Sequence, residues 1–223
     1  MTTLTHKALR DFWQERTRSI LVVVAIALGI AAFSSVMSSY AILTRELDRG
    51  YLQTNPASAI FRMDAIDDDL VKAVLSEKSV SDAEPRRIIS GQLKSGPIQW
   101  RNLVLFVVKD YGDVRVSKLE HERGSWPPAK GELLIERDAF QVAHAKIGDV
   151  VTVKTSSGVE SQLVIGGSVH DVGQAQARME NSVYGYITLE TLELLGERPY
   201  LDQLNILVAQ DRLDERHIRE VTS

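Results

Sequence analysis

Residues 19–44, SILVVVAIALGIAAFSSVMSSYAILT, carry no charge, and Arg18 and Arg45 bound the run. No other stretch restricts the chain so strongly. Its centre, residues 20–33, is unbroken aliphatic residues, Ala, Gly and Phe. At 1.5 Å per residue, about 26 helical residues reach roughly 39 Å, against a hydrocarbon core of about 30 Å. A charged side chain at mid-bilayer is costly, so a clean interval between two arginines reads as a membrane span. The residues before it are then expected on one side of the membrane and those after it on the other.

Two other readings stay open at this level. A secretory signal peptide has a charged start, an apolar run of about 7–15 residues and a small-residue cleavage site. Residues 20–33 fit that run, and Ser39-Tyr40-Ala41 would serve as the site. Against cleavage, the leader is long and includes Asp11 and Glu15, and the uncharged interval outruns the apolar centre. The third reading is a buried core helix, but a chain of 223 residues seldom builds a core that surrounds one.

Beyond the span there is length for one average domain or two small ones. Hydrophobic content of 44% with 25% charged residues suits a folded chain rather than a disordered one. The net charge of −4 is split: residues 1–44 hold four Lys/Arg and two acids, so the remainder carries −6. An acidic domain is a poor nucleic-acid ligand, because phosphate binding needs a basic face. With no cysteine there is no disulfide framework, zinc finger or thiol chemistry. Lys7, Arg10, Arg16 and Arg18 precede the span against Arg45, Arg49 and Arg62 after it, a modest bias by which the N-terminus is expected in the cytoplasm and the bulk outside a cell (inner) membrane.

Residues 1–18 read as a cytoplasmic interfacial segment, with Leu4, Ala8, Leu9, Phe12 and Trp13 on one helical face. Residues 19–44 are the transmembrane helix, where Ala25 and Gly29 stand four apart, as do Ala27 and Ala31. Small residues at that spacing let two membrane helices approach, which makes Ala25 and Gly29 the candidate packing site. Residues 45–56 form a stalk ending near Asn55-Pro56, since the residue before Pro avoids the helical region. A strand is expected over 58–63. The triple Asp67-Asp68-Asp69 caps a helix carrying Leu70, Val71, Val74 and Leu75. Strands over 80–93 and 98–109 flank a Lys94-Ser95-Gly96-Pro97 turn, with 103–108 apolar enough to be buried on both faces. From residue 111 the texture changes to short strands and turns. Strands are expected over 132–136, 150–154, 161–170 and 183–187, with a helix over 137–145. Thr188 then caps a helix stopped by Gly196, a strand covers 204–209, and a last helix starts at Asp211.

No active site emerges from the residues. There is no G-x-x-x-x-G-K-[ST] loop for ATP. His121-Glu122 begins like H-E-x-x-H, but Ser125 stands at the second His. Gly166-Gly167-Ser168-Val169-His170 begins like a nucleophile elbow, but His170 replaces the final Gly. Asp67–Asp69 lack the Gly and distal Glu of a calcium loop. Trp126-Pro127-Pro128 reads as a structural turn rather than an exposed recognition loop. Catalytic, cofactor and metal residues are therefore expected to be none.

The order of features carries a resemblance. KALRDFWQERTRSILVVVAIALGIAAFSS resembles the first membrane helix of MacB/FtsX-type ABC transporter permeases. RGSWPPAKGELLIERDAFQVAHAKIGDVVTVKTSSGVESQLVIGGSVHD resembles that family's G-x-x-P…GE…GD-x-V…V-x-G core, and YGYITLETLELLG and LNILVAQDRLDERHIREV its closing elements. The resemblance implies an α+β fold: a membrane helix and stalk, then a porter-like α/β subdomain (57–110 and 188–223) with an inserted β-rich subdomain (111–187). It further implies a permease subunit whose outer domain couples ATP hydrolysis on a partner ATPase to export or extraction of an amphiphilic substrate or lipoprotein. A second permease chain and a periplasmic adaptor are the expected protein partners. Family permeases have three further membrane helices after the outer domain, so this chain is expected to be a fragment or a natural truncation. The rival from another class is a single-pass sensor or binding ectodomain without transport.

Overall fold

A computed structural model describes residues 16–222, apart from the side chains of residues 16, 19, 47 and 48. The expected interfacial helix over residues 1–15 lies outside the described residues. The chain divides into two units, Met1–Arg49 and Gly50–Ser223.

Helix α1 (Arg16–Gln53) contains the whole uncharged run and continues through the expected stalk. Its apolar side chains, Ile20, Leu28, Phe33 and Ile42 among them, are exposed, which removes the core-helix reading. The helix is long and apolar enough to cross a membrane, where a helix satisfies every backbone group internally. Thr44 returns its hydroxyl to the Tyr40 carbonyl at 3.0 Å, so the polar residue leaving the run costs no orphan donor. The helix stops because Asn55 adopts φ 51° and Pro56 comes next, a left-handed cap that Asn tolerates.

In the second unit, β2 (Val80–Lys94) and β3 (Trp100–Val108) form the expected long hairpin. Four more strands complete a ring with them: β5 (Glu132–Glu136), β6 (Val150–Thr155), β7 (Glu160–His170) and β8 (Ser182–Ile187). The pairings run β2 to β3, β3 to β8, β8 to β5, β5 to β7, β7 to β6 and β6 back to β2. Six strands thus close on themselves, which removes their edges. The inward positions alternate along each strand, Leu103, Leu105 and Val107 facing Val183, Gly185 and Ile187 across the β3–β8 ladder. Leu93, Leu133, Ile135, Val153, Leu163 and Ile165 complete a buried interior. The ring is filled so tightly that a Cβ at Gly185 would lie 2.6 Å from Leu133 Cδ1, and one at Gly91 2.7 Å from the Lys154 carbonyl.

The first half of β2 leaves the ring to pair with β9 (Gln203–Val208), and β9 pairs with β1 (Ala59–Arg62). There α2 (Asp68–Leu75) covers a smaller core of Ala83, Leu204 and Ile206 with Val71, Val74 and Leu75. Asp67 caps α2 by accepting from the Leu70 amide at 2.8 Å, as the triple Asp implied. Thr188 does the same at 3.3 Å for α5 (Leu189–Leu194), which ends before Gly196 at φ +74°.

Several local expectations differ from the structure. Val104 and Phe106 of β3 are half-buried, not buried, because the outer face of a ring wall is only partly covered. The helix over 137–145 shrinks to a 3₁₀ turn (Arg137–Ala139) and α3 (Phe140–Ala143), closed by His144 at φ 53°. The last helix, α6 (Glu215–Thr222), starts four residues after Asp211, whose own φ of 44° cannot begin a helix. The strand β4 (Glu120–Gly124) and the single turn α4 (Ala177–Glu180) had no signal: β4 is polar, exposed and edge-placed beside β7.

Candidate functional site

Ala25 and Gly29 lie one turn apart on α1, both exposed, and a Cβ at Gly29 would meet nothing within 4 Å. The other sequence candidates fall into structural roles. His121 sits on β4 with its Nε2 3.1 Å from the Gly124 carbonyl, near the Trp126 ring at 5.5 Å. Ser168 is buried within β7, not at a strand-to-helix turn. Trp126 packs edge-on against Tyr111 with ring centroids 4.9 Å apart.

A connected set of polar contacts that the sequence did not announce lies where the chain leaves α1. The Ser117 amide donates to the Asn55 carbonyl at 2.9 Å and the Lys118 amide to the Thr54 carbonyl at 2.7 Å. Asn55 Nδ2 donates to the Arg115 carbonyl at 3.2 Å. The loop that receives these bonds is itself held from beneath. Glu84 Oε2 accepts from the Arg115 and Val116 amides at 2.9 and 3.0 Å, and Arg86 Nη2 donates to the Val116 carbonyl at 3.0 Å. Glu84 and Arg86 are both buried and pair at 2.7 Å. The residues after α1 are therefore tied through one loop to the middle of β2. The signal was present as Glu84-Pro85-Arg86: two charges at period 2 put both on one face of the strand.

Beside this clasp is a cavity of roughly 210 Å³, lined by Tyr51, Thr54, Arg86, Phe106, Tyr186 and Asn205 among others. Phe106 stacks on Tyr186 at 5.0 Å, and the Tyr186 hydroxyl donates to Asp171 Oδ2 at 2.8 Å. Burial first, then the Asp171 charge, pushes the Tyr186 ionisation well above its ordinary value. Burial also raises Tyr111, with the Arg86 guanidinium opposing it. The Tyr186 phenol is held neutral and hydrogen-bonded, and the Tyr111 hydroxyl is buried with no hydrogen-bond partner among the described residues. Among the described residues no group of three or more His, Asp or Glu side chains is placed to hold a metal.

No protein-family model and no curated protein matches the sequence. Among solved structures, the chain is similar to the extracellular domain of YknZ, a noncanonic ABC-type transporter from Gram-positive bacteria. Identity is 11%, with 73% of this chain and 86% of that one covered and a TM-score of 0.46. It is similar to the periplasmic region of MacB from Actinobacillus actinomycetemcomitans, at 15% identity, 73% and 79% coverage and a TM-score of 0.41. A domain of a permease protein from Porphyromonas gingivalis gives 14% identity, 74% and 77% coverage and a TM-score of 0.41.

Proposed function

We propose that the chain is a permease subunit of an ABC transporter, anchored by α1 in the cell membrane with its N-terminus in the cytoplasm. ATP hydrolysis belongs to a partner ATPase, and a second permease chain packs on α1 at Ala25 and Gly29. The outer unit then couples hydrolysis to the export or extraction of an amphiphilic substrate or lipoprotein, with a periplasmic adaptor as a further partner. Its porter-like part would be residues 57–110 and 188–223, and its inserted part 111–187. The observation that carries this reading is the clasp after α1. A simple tether needs no bonds to the domain it carries, whereas here Thr54 and Asn55 are bound to the loop that Glu84 and Arg86 hold. A displacement of the helix end therefore has a defined route into β2. The sequence resemblance supplies the transport system.

Purification of the chain from its own membrane in mild detergent tests this. An ABC ATPase and a second permease chain are expected to copurify. Recovery of the chain with neither, under conditions that preserve a known transporter, would overturn the reading in favour of a single-pass sensor.

A further inference from the structure

Three cations converge on one groove at the edge of the second unit. Arg123 stands on β4, Arg137 opens the turn after β5, and Lys146 lies in the loop before β6. Together they line an open cavity of roughly 540 Å³ with Phe140 and Ile147 on its apolar wall. That volume lies inside the range of about 300–1,000 Å³ typical of small-molecule sites. The one acid of the lining, Glu122, is committed to Arg137 at 3.1 Å. Among the described residues Arg123 and Lys146 have no ion-pair partner.

This placement opposes the charge of the rest of the domain. The chain after residue 44 carries a net −6, yet this lining holds three cations to one acid. Like charges around one concavity repel, and an anion among them relieves the repulsion. Guanidinium forks match the oxygens of phosphate, sulfonate and carboxylate groups. The apolar side is equally built. Phe140 packs against the main core, while Ile147 is 41% exposed and leaves its surface to the groove.

We propose that the groove binds an organic anion, a phosphate, sulfonate or carboxylate on an apolar body of one or two rings. The anionic head lies among Arg123, Arg137 and Lys146, and the body lies on Phe140 and Ile147. The inference is independent of the permease reading, since binding requires neither an ATPase nor transport.

The test is calorimetric titration of the whole chain in phosphatidylcholine nanodiscs, with empty nanodiscs as reference. The probes are 1-naphthyl phosphate, inorganic phosphate and 1-naphthalenemethanol. Saturable one-site binding of 1-naphthyl phosphate, at least tenfold tighter than the other two, is expected. The double change Arg123→Ala, Lys146→Ala should weaken it at least tenfold without altering the melting temperature. Lys78→Ala with Lys130→Ala removes the same charge elsewhere and should leave it unchanged. Inorganic phosphate binding as tightly would mark a free-anion site, and the alcohol binding as tightly a purely apolar one. Either result overturns the proposal, as does a control that loses as much as the groove variant. Absence of saturable binding, or wild-type affinity in the groove variant, overturns it as well.

Discussion

Glu84 and Arg86 illustrate how two residues can hold a loop. Glu84 has three donors on it, the Arg86 guanidinium and two loop amides, so its removal strands a buried cation and two N–H groups. Breaking a buried pair from one side costs about 3–5 kcal/mol. Glu84→Ala is therefore expected to lose that much in a denaturant titration, and Arg115 and Val116 amides should exchange hydrogen faster. Glu84→Gln keeps an acceptor and should lose less; equal losses would show that the loop bonds carry nothing. The buried phenols set a pH limit. Tyr184 is raised to about 12, by burial and then by its bond to Glu180, and Tyr186 is raised well above its ordinary value, by burial and then by the Asp171 charge. An unfolded Tyr ionises near about 10, so the folded state favours the neutral form. The contribution is complete below about pH 10 and is lost as pH climbs through the folded values. Thermal melts should fall in that alkaline window, and Tyr186→Phe should flatten the fall.

At the scale of elements, α1 exposes its apolar side chains while the ring strands bury theirs. Among the described residues a Cβ at Gly29 would meet nothing within 4 Å, so Gly29→Leu should leave the chain folded. In a membrane the added bulk should separate packed helices at a cost of about 1–2 kcal/mol, read as loss of crosslinking between permease chains. Unchanged crosslinking would remove Ala25 and Gly29 from the interface. A Gly-Gly insertion after Leu47 should act otherwise, because it adds a hinge between the span and the clasp without touching the packing face. Assembly should persist while substrate transport per ATP hydrolysed drops. Full transport in that variant would reduce α1 to a tether.

For the whole molecule, the question is which side of the membrane the closed ring occupies. A reporter fused after Thr5 is expected in the cytoplasm. One fused after Ser157, in the turn before Gly158 at φ +80°, is expected outside and membrane-bound. Recovery of the Ser157 fusion as a soluble exported product starting near Ile42 would mean that the apolar run is cleaved as a signal. The ring itself should tolerate such a fusion, because residues 156–159 are exposed in the turn from β6 to β7, and the insertion there costs at most the Ser156 and Ser157 hydroxyl bonds to Glu197 and the Leu195 carbonyl, both 3.2 Å.

Local chemistry was readable in the sequence wherever neighbours along the chain settle the outcome. The uncharged run forced a helix, Asn55-Pro56 ended it, Asp67 and Thr188 capped their helices, and Gly158 turned the β6–β7 hairpin. Each depends on residues within a few positions, where propensity and capping act. Closure of the ring depends on β2 meeting β6, Gly91 opposite Thr155, and no local pattern encodes a pairing between residues that far apart. The same holds for β4, a polar edge strand made a strand only by β7. Glu84-Pro85-Arg86 marked one face of a strand in the sequence, but the partners of the clasp and the cationic groove were decided by tertiary structure. Glu84 reaches Val116, and Arg123 meets Lys146, only because the sheet folds separate segments onto one face. Burial and charge at a site belong to the fold, not to any stretch of chain.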